Sequence, residues 1–203
     1  MPCRFIVVVA LFVVSGTLSS CAGLDTTDDA SNPQTRRAEY EAAAENLRKP
    51  AEAGNAEAQN KLGILYSESL PPPRGFVQAK RWFEKAAEQG HAGAQVNLGT
   101  LYLHGNGAPE SDQMALFWFR RAAAQGNALA FAKLGLMYTQ GRGVPQDFIQ
   151  AHMWYNLSAA NGEKRASESR DSLAKQMTPA QIAEAQRMAR EWMPKAKPRS
   201  LTE

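Results

Sequence analysis

The sequence has few of the residues from which metal sites are built. Among 203 residues there are only two cysteines and three histidines. The histidines, His91, His104 and His152, stand far apart and have no second histidine or cysteine at ligand spacing. Zinc sites need such paired spacing, so the sequence predicts no metal site and no cofactor.

An excess of charge of one sign is also missing. The chain carries 23 lysines and arginines against 20 aspartates and glutamates, a net charge of +3. Near the C-terminus the basic residues alternate with acidic ones, which is typical of a solvated surface. The sequence therefore predicts no nucleic-acid partner, and a patch for an anionic ligand at this end is the weaker alternative.

Long apolar runs are absent too. The longest run without a polar side chain, Phe5 to Val14, has ten residues and is too short for a membrane-spanning helix. It follows Arg4 and precedes small residues, so residues 1–20 are predicted to be a signal peptide. Because Cys3 leaves with this segment, the mature chain has no cysteine pair for a disulfide.

Leu18-Ser19-Ser20-Cys21 resembles a bacterial lipobox. The resemblance implies that Cys21 is acylated and anchors the chain in a membrane, whereas a conventional signal peptide would leave Cys21 unmodified. Ala22 after the cysteine implies, by resemblance to sorted lipoproteins, the outer membrane with the chain facing the periplasm. Residues 21–35 are polar and are expected to form a flexible tether.

What the sequence does have is a period of 36 residues, which indicates a repeat protein. Several residue types recur in phase with this step. They include Gly54, Gly90, Gly126 and Gly162; Leu62, Leu98 and Leu134; Gly63, Gly99 and Gly135; Tyr66, Tyr102 and Tyr138; and Trp82, Trp118 and Trp154.

Each unit is predicted to contain two helices, A and B, joined by a loop. In the second unit Ala94, Leu98 and Leu101 lie on one face of helix A. Ser111 and Asp147 suit the N-cap of helix B, and Gly75 is expected there in the first unit. The tryptophans share the apolar stripe and are expected in the core rather than on a stacking surface for sugars. Gly99, costly inside a helix, predicts close approach by small residues of helix B.

The pattern Gly-x-Ala-x-Ala-x-x-x-Leu-Gly-x-x-Tyr, followed by Gly-x-Gly-x-Pro and Ala-x-x-Trp, resembles the Sel1-like repeat, a relative of the tetratricopeptide repeat. The resemblance implies an all-α, right-handed superhelical αα-solenoid. Residues 67–75 depart from the pattern, because a proline-rich loop replaces the glycine loop. The expected order after the tether is an N-terminal helix (36–53), three repeats (54–89, 90–125 and 126–161), capping helices (162–193) and a tail (194–203).

A stripe beside the core positions of the A helices varies between units. By analogy with tetratricopeptide arrays, this row lines the concave surface and binds a protein or peptide partner of the cell envelope, without catalysis. The candidate binding residues are Asn60, Lys61, Ile64, Glu68, Val96, Asn97, Thr100, His104, Ala132, Lys133, Leu136 and Gln140.

The alternative function is an envelope enzyme or a peptidoglycan-associated protein. Ser172 and Lys175 match the Ser-x-x-Lys motif of penicillin-recognising enzymes. However, no Lys-Thr-Gly motif is present, and those enzymes need an α/β scaffold that a helical chain does not build. The sequence therefore favours the binding protein and predicts no catalytic residues.

Overall fold

The computed structural model describes residues 33–69 and 72–192, with side chains from residue 39 onward. The predicted signal peptide, Cys21 and the tail lie outside these ranges. Every regular element within them is an α-helix. In chain order these are α1 (Pro33–Glu52), α2 (Ala56–Ser69), α3 (Arg74–Glu88), α4 (Ala92–His104), α5 (Asp112–Ala123), α6 (Ala128–Gln140), α7 (Phe148–Ala160), α8 (Lys164–Ala174) and α9 (Pro179–Trp192). No helix of this described part is both long and apolar enough to cross a membrane.

The helices form a solenoid because each one packs mainly on its neighbours in sequence. Helices α2, α4 and α6 are the A helices, and each packs on the B helix that follows it, α3, α5 or α7. Adjacent repeats meet where α3 contacts α4 and where α5 contacts α6. Helix α1 covers α2 at one end, and α8 covers α7 at the other. The all-α solenoid predicted from the repeat is confirmed.

A capping residue at one repeat position starts each A helix. Asn55, His91 and Asn127 each accept a hydrogen bond from the backbone N–H three residues later. Ser111 and Asp147 cap α5 and α7 in the same way, as predicted. The expectation for Gly75 is wrong, since α3 begins at Arg74 and Gly75 lies inside its first turn.

The glycine inside each A helix makes room for an aromatic ring. A Cβ at Gly63 would lie 2.5 Å from Phe83 Cε1, and one at Gly99 would lie 2.7 Å from Phe119 Cε1. The expected close approach is thus present, but the idea that small residues make it is wrong. The ring fits because it can lie flat against bare backbone, where the alanines of helix B would leave a void.

The tryptophans of the second and third repeats belong to the core. Trp118 and Trp154 are each 7% exposed, whereas Trp82 in the first repeat is half-buried. The indole nitrogens of Trp118 and Trp154 have no hydrogen-bond partner among the described residues. The core assignment made from the sequence is confirmed for these two residues.

The last helix leaves the solenoid order. Thr178 accepts a hydrogen bond from the Gln181 N–H and so caps α9, which begins at Pro179 as expected. Instead of pairing with α8 as a B helix pairs with its A helix, α9 folds back and packs on α7. Its buried Ala185 and Ala189 join the core of the second and third repeats.

Candidate functional site

The predicted binding stripe runs along α2, α4 and α6. Most of its side chains reach the surface to some extent. The exposed members are Lys61, Ile64, Glu68, His104 and Gln140, and the half-buried members are Asn97, Thr100, Ala132, Lys133 and Leu136.

Two members of the stripe do not face outward. Val96 is 2% exposed and packs in the core, so its predicted role as a contact residue is corrected. Asn60, at the same position of the preceding repeat, is 8% exposed. In the first two repeats this position is thus turned away from solvent.

Asn60 instead joins two repeats. The Asn97 side-chain N–H donates to Asn60 Oδ1 across 3.0 Å, which links α4 to α2. The same two helices are linked again at their start, where His91 Nε2 and Glu57 Oε2 are 2.8 Å apart. Since His91 Nδ1 accepts from the Ala94 N–H, the ring proton lies on Nε2 and is donated to Glu57.

The Glu57 carboxylate therefore has two cationic or donating neighbours. The His91 hydrogen bond is the main cause that lowers the pKa of Glu57, and Lys61 at 3.1 Å lowers it further. Glu57 and Lys61 are both more than half exposed, so this pair lies at the solvent edge of the stripe. The start of the A-helix row thus has a fixed arrangement of charges.

Glutamines form a second connection between repeats. Gln59 donates to the carbonyl of Ala51, and Gln95 donates to the carbonyl of Ala87 one repeat later. Gln89 and Gln125 in turn donate to these two side chains. These glutamines were not predicted as contacts. They could have been found from the 36-residue step, which separates Gln59 from Gln95 and Gln89 from Gln125.

A third connection comes from the glycine loop of the third repeat. Arg142 donates to the carbonyl of Leu103 at 2.9 Å and lies 2.6 Å from the Asp112 carboxylate, with Glu110 as a further partner. The loop is held close, because a Cβ at Gly143 would lie 3.1 Å from Asp112. Together these bonds fix each repeat relative to the next.

A cavity of about 810 Å³ opens between α1, α2 and the start of α3. Tyr40, Ala44, Tyr66 and Arg74 are among its lining residues. It lies in the first unit, which departs from the repeat pattern. This cavity was not predicted from the sequence.

The residues considered for catalysis are not assembled into a site. Ser172 and Lys175 are exposed at the end of α8, and Ser172 borders a shallow depression of about 340 Å³ beside Thr139 and Tyr155. Burial raises the pKa of the Tyr155 phenol. Across residues 33–69 and 72–192 no group of three His, Cys, Asp or Glu side chains could hold a metal ion.

Sequence comparison agrees with the helical pairs. A family model described as the Sel1 repeat matches residues 56–91, 92–127 and 128–163. The chain belongs to the Sel1 repeat family. Sel1-repeat proteins are generally protein-interaction scaffolds, and the family is typically non-enzymatic. No curated protein sequence matches the chain.

Two solved structures show the same architecture. One is a protective antigen present in uropathogenic Escherichia coli strains that displays an SLR fold, with 33% identity and a TM-score of 0.69. The match covers 82% of this chain but only 35% of the antigen. The other is a Sel1 repeat protein from Oxalobacter formigenes, with 32% identity, a TM-score of 0.54, and coverage of 70% of this chain and 100% of that one.

Proposed function

We propose that this Sel1-repeat protein is a non-enzymatic adaptor of the bacterial cell envelope that binds a protein or peptide segment along the A-helix row. The observation that supports this proposal most is the Asn97–Asn60 hydrogen bond between α4 and α2. It holds the outward stripes of neighbouring repeats side by side, so a partner segment can contact several repeats at once.

The chemistry of the row suits a peptide. Ile64 is a large apolar residue with 36% of its surface exposed, and Leu136 is half-buried two repeats further on. Lys61 and Lys133 lie three residues, about one helical turn, before Ile64 in α2 and Leu136 in α6. An apolar contact surrounded by polar side chains is the usual composition of a protein-binding surface.

Site-specific photocrosslinking tests the surface. A photoreactive residue at Ile64 or Leu136 should capture the same partner from detergent-solubilised envelopes, and one at Glu88 on the outer face of α3 should not. The triple change of Lys61, Lys133 and Leu136 to alanine should then abolish capture with an unchanged circular dichroism spectrum. Asn97 is kept, because its loss would also break the link to Asn60.

Capture from Glu88 with equal yield, or full capture by the correctly folded triple variant, would refute the A-helix row. In either case the adaptor would bind through another face of the solenoid. The helical content of each variant is the necessary control, since a solenoid that unfolds loses all of its surfaces together.

The envelope location rests on Cys21, which lies outside the described residues. We propose that its acylation anchors the protein in the outer membrane, on the periplasmic side, since two or more acyl chains give stable attachment. Cys21→Ser should yield a soluble or unprocessed protein that no longer incorporates labelled fatty acid. Membrane retention and labelling equal to those of the parent would refute the anchor.

We also propose that Ser172 has no catalytic role, because its side chain is exposed near the end of α8 and borders only a shallow depression. The purified protein should form no covalent adduct with labelled penicillin. An adduct that disappears in Ser172→Ala would instead support the envelope enzyme.

A further inference from the structure

Helix α9 shows how a helix binds the outer face of a repeat in this fold. Its Trp192 meets Trp154 of α7 edge to face, with ring centroids 4.8 Å apart, and also contacts Phe131 at 5.2 Å. Ala185 and Ala189 pack into the same core. The third repeat therefore presents its B helix as a surface on which a second helix lies.

The second repeat presents the same positions without a helix on them. Under α9, Met153 and Leu157 are 2% and 1% exposed. One repeat earlier, Phe117 and Arg121 stand at these positions on α5, and Phe117 is 48% exposed. A phenyl ring at a position that is covered in the next repeat is a large apolar group left in solvent.

The surroundings of Phe117 are apolar and positively charged. Met114, one turn earlier on α5, is 38% exposed. The Arg121 guanidinium lies 5.7 Å from the Phe117 ring centroid and 5.3 Å from that of Trp118. Next to them is a depression of about 460 Å³. Its lining residues, which include no carboxylate, are Gln113, Leu116, Phe117, Arg120, Arg121 and Ala124.

We propose that this outer face of α5 binds an amphipathic helix of a partner protein that carries a large aromatic residue flanked by acidic side chains. The aromatic residue packs on the exposed ring of Phe117, in the way that Trp192 packs on Trp154. The acidic side chains pair with Arg120 and Arg121. This surface is separate from the A-helix row and does not depend on it.

Two comparisons favour this occupant. Helix α3 has Arg81 where α5 has Phe117, so the first repeat lacks the apolar contact. In a symmetric contact between two copies of α5, the arginines of one copy would lie near those of the other, which disfavours self-association. A partner helix with acidic side chains would avoid the repulsion between arginines and could use the apolar contact that only the second of these two repeats offers.

Selection from a displayed library of amphipathic helical peptides tests the proposal, with the full mature chain as bait. Enriched peptides should contain tryptophan or phenylalanine with glutamate or aspartate on the same face. Their affinity, measured by calorimetry, should fall about tenfold or more in Phe117→Ala and in Arg121→Glu. The matched control is Lys85→Glu, which changes the same repeat position on α3, where Lys85 lies over Trp82; it should leave affinity within about twofold.

Several outcomes would overturn the proposal. They are a library that yields no binder, binders that are indifferent to Phe117→Ala, and binders that are basic. A dimer in sedimentation experiments that dissociates in Phe117→Asp would assign the face to a second copy of the chain. Binding to vesicles with anionic lipid that is lost in Phe117→Asp would assign it to a membrane surface. Affinities are compared only for variants whose circular dichroism spectrum matches that of the parent, so that a loss of binding is not a loss of folding.

Discussion

Gly99 lies against the Phe119 ring, so closely that a Cβ would be 2.7 Å from Phe119 Cε1. The same pairing joins Gly135 to Tyr155 in the third repeat, where a Cβ would be 2.7 Å from Tyr155 Cδ1. Each repeat is thus held by a contact between a bare backbone segment on helix A and a ring on helix B.

Gly99→Ala should destabilise the protein by about 1–3 kcal/mol, the usual cost of overpacking a core. At an exposed helix position the same change would be stabilising by about 1 kcal/mol. Urea unfolding of the parent, Gly99→Ala, Phe119→Leu and the double variant measures the effect. The double variant should be less destabilised than the sum of the single changes, because the smaller side chain makes room for the new methyl group. A more stable Gly99→Ala protein would contradict the contact.

Trp118→Ala should lower the free energy of unfolding by about 3–5 kcal/mol, as large-to-small core changes do. Its neighbour Phe117 is the control, because it is 48% exposed on the same helix. Phe117→Ala should change stability by about 0.5 kcal/mol or less. Equal effects of the two substitutions would mean that Trp118 does not lie in the core.

Arg142→Ala should cost about 1–3 kcal/mol, because it removes a charge-assisted hydrogen bond to the Leu103 carbonyl and an ion pair with Asp112. Arg187 provides the comparison. It pairs with Glu184 and Glu191 but is 52% exposed on α9, so Arg187→Ala should cost about 1 kcal/mol or less. Thermal unfolding of both variants measures the two costs. A smaller loss of stability in Arg142→Ala than in Arg187→Ala would count against a role of Arg142 in joining repeats.

The buried His152 should make stability depend on pH. Burial lowers its pKa, and the charge of Arg170 lowers it further, while Asp171 opposes the shift. The unfolded chain therefore binds a proton more readily, at a pKa of about 6.5. Stability from this group is fully present above that pH and is lost as the pH falls below it. Unfolding midpoints at pH 7.5 and 5.5 should differ less in His152→Gln than in the parent, whereas His104→Gln, changed at an exposed position, should keep the parent's difference.

The sequence was sufficient to predict the repeats, because helical periodicity and the 36-residue step place Leu98 and Trp118 on buried faces. It was not sufficient for contacts that depend on two helices at once. Val96 was assigned to the surface since it varies between repeats, but packing against the next helix buries it. The path of α9 was likewise not predictable, because its apolar face at Ala185 and Ala189 would suit α8 as well as α7. The contacts of Trp192 with Trp154 on α7 and with Phe131 on α6 accompany the path that α9 takes.

The glutamine bonds also bear on how long such an array can grow. Gln59 and Gln95 each accept a hydrogen bond from a glutamine at the same repeat position, and each donates to a carbonyl at the same repeat position. A duplicate of residues 56–91 inserted before Ala92 would therefore find the same hydrogen-bond partners on both sides. The third repeat has Phe131 at this position, and its ring lies against Trp154 and Trp192. The third repeat therefore lacks the glutamine bond at its joint with the second. A duplicate of the first unit would keep the glutamine bond at every new joint, whereas a duplicate of the third unit would place a second phenylalanine there.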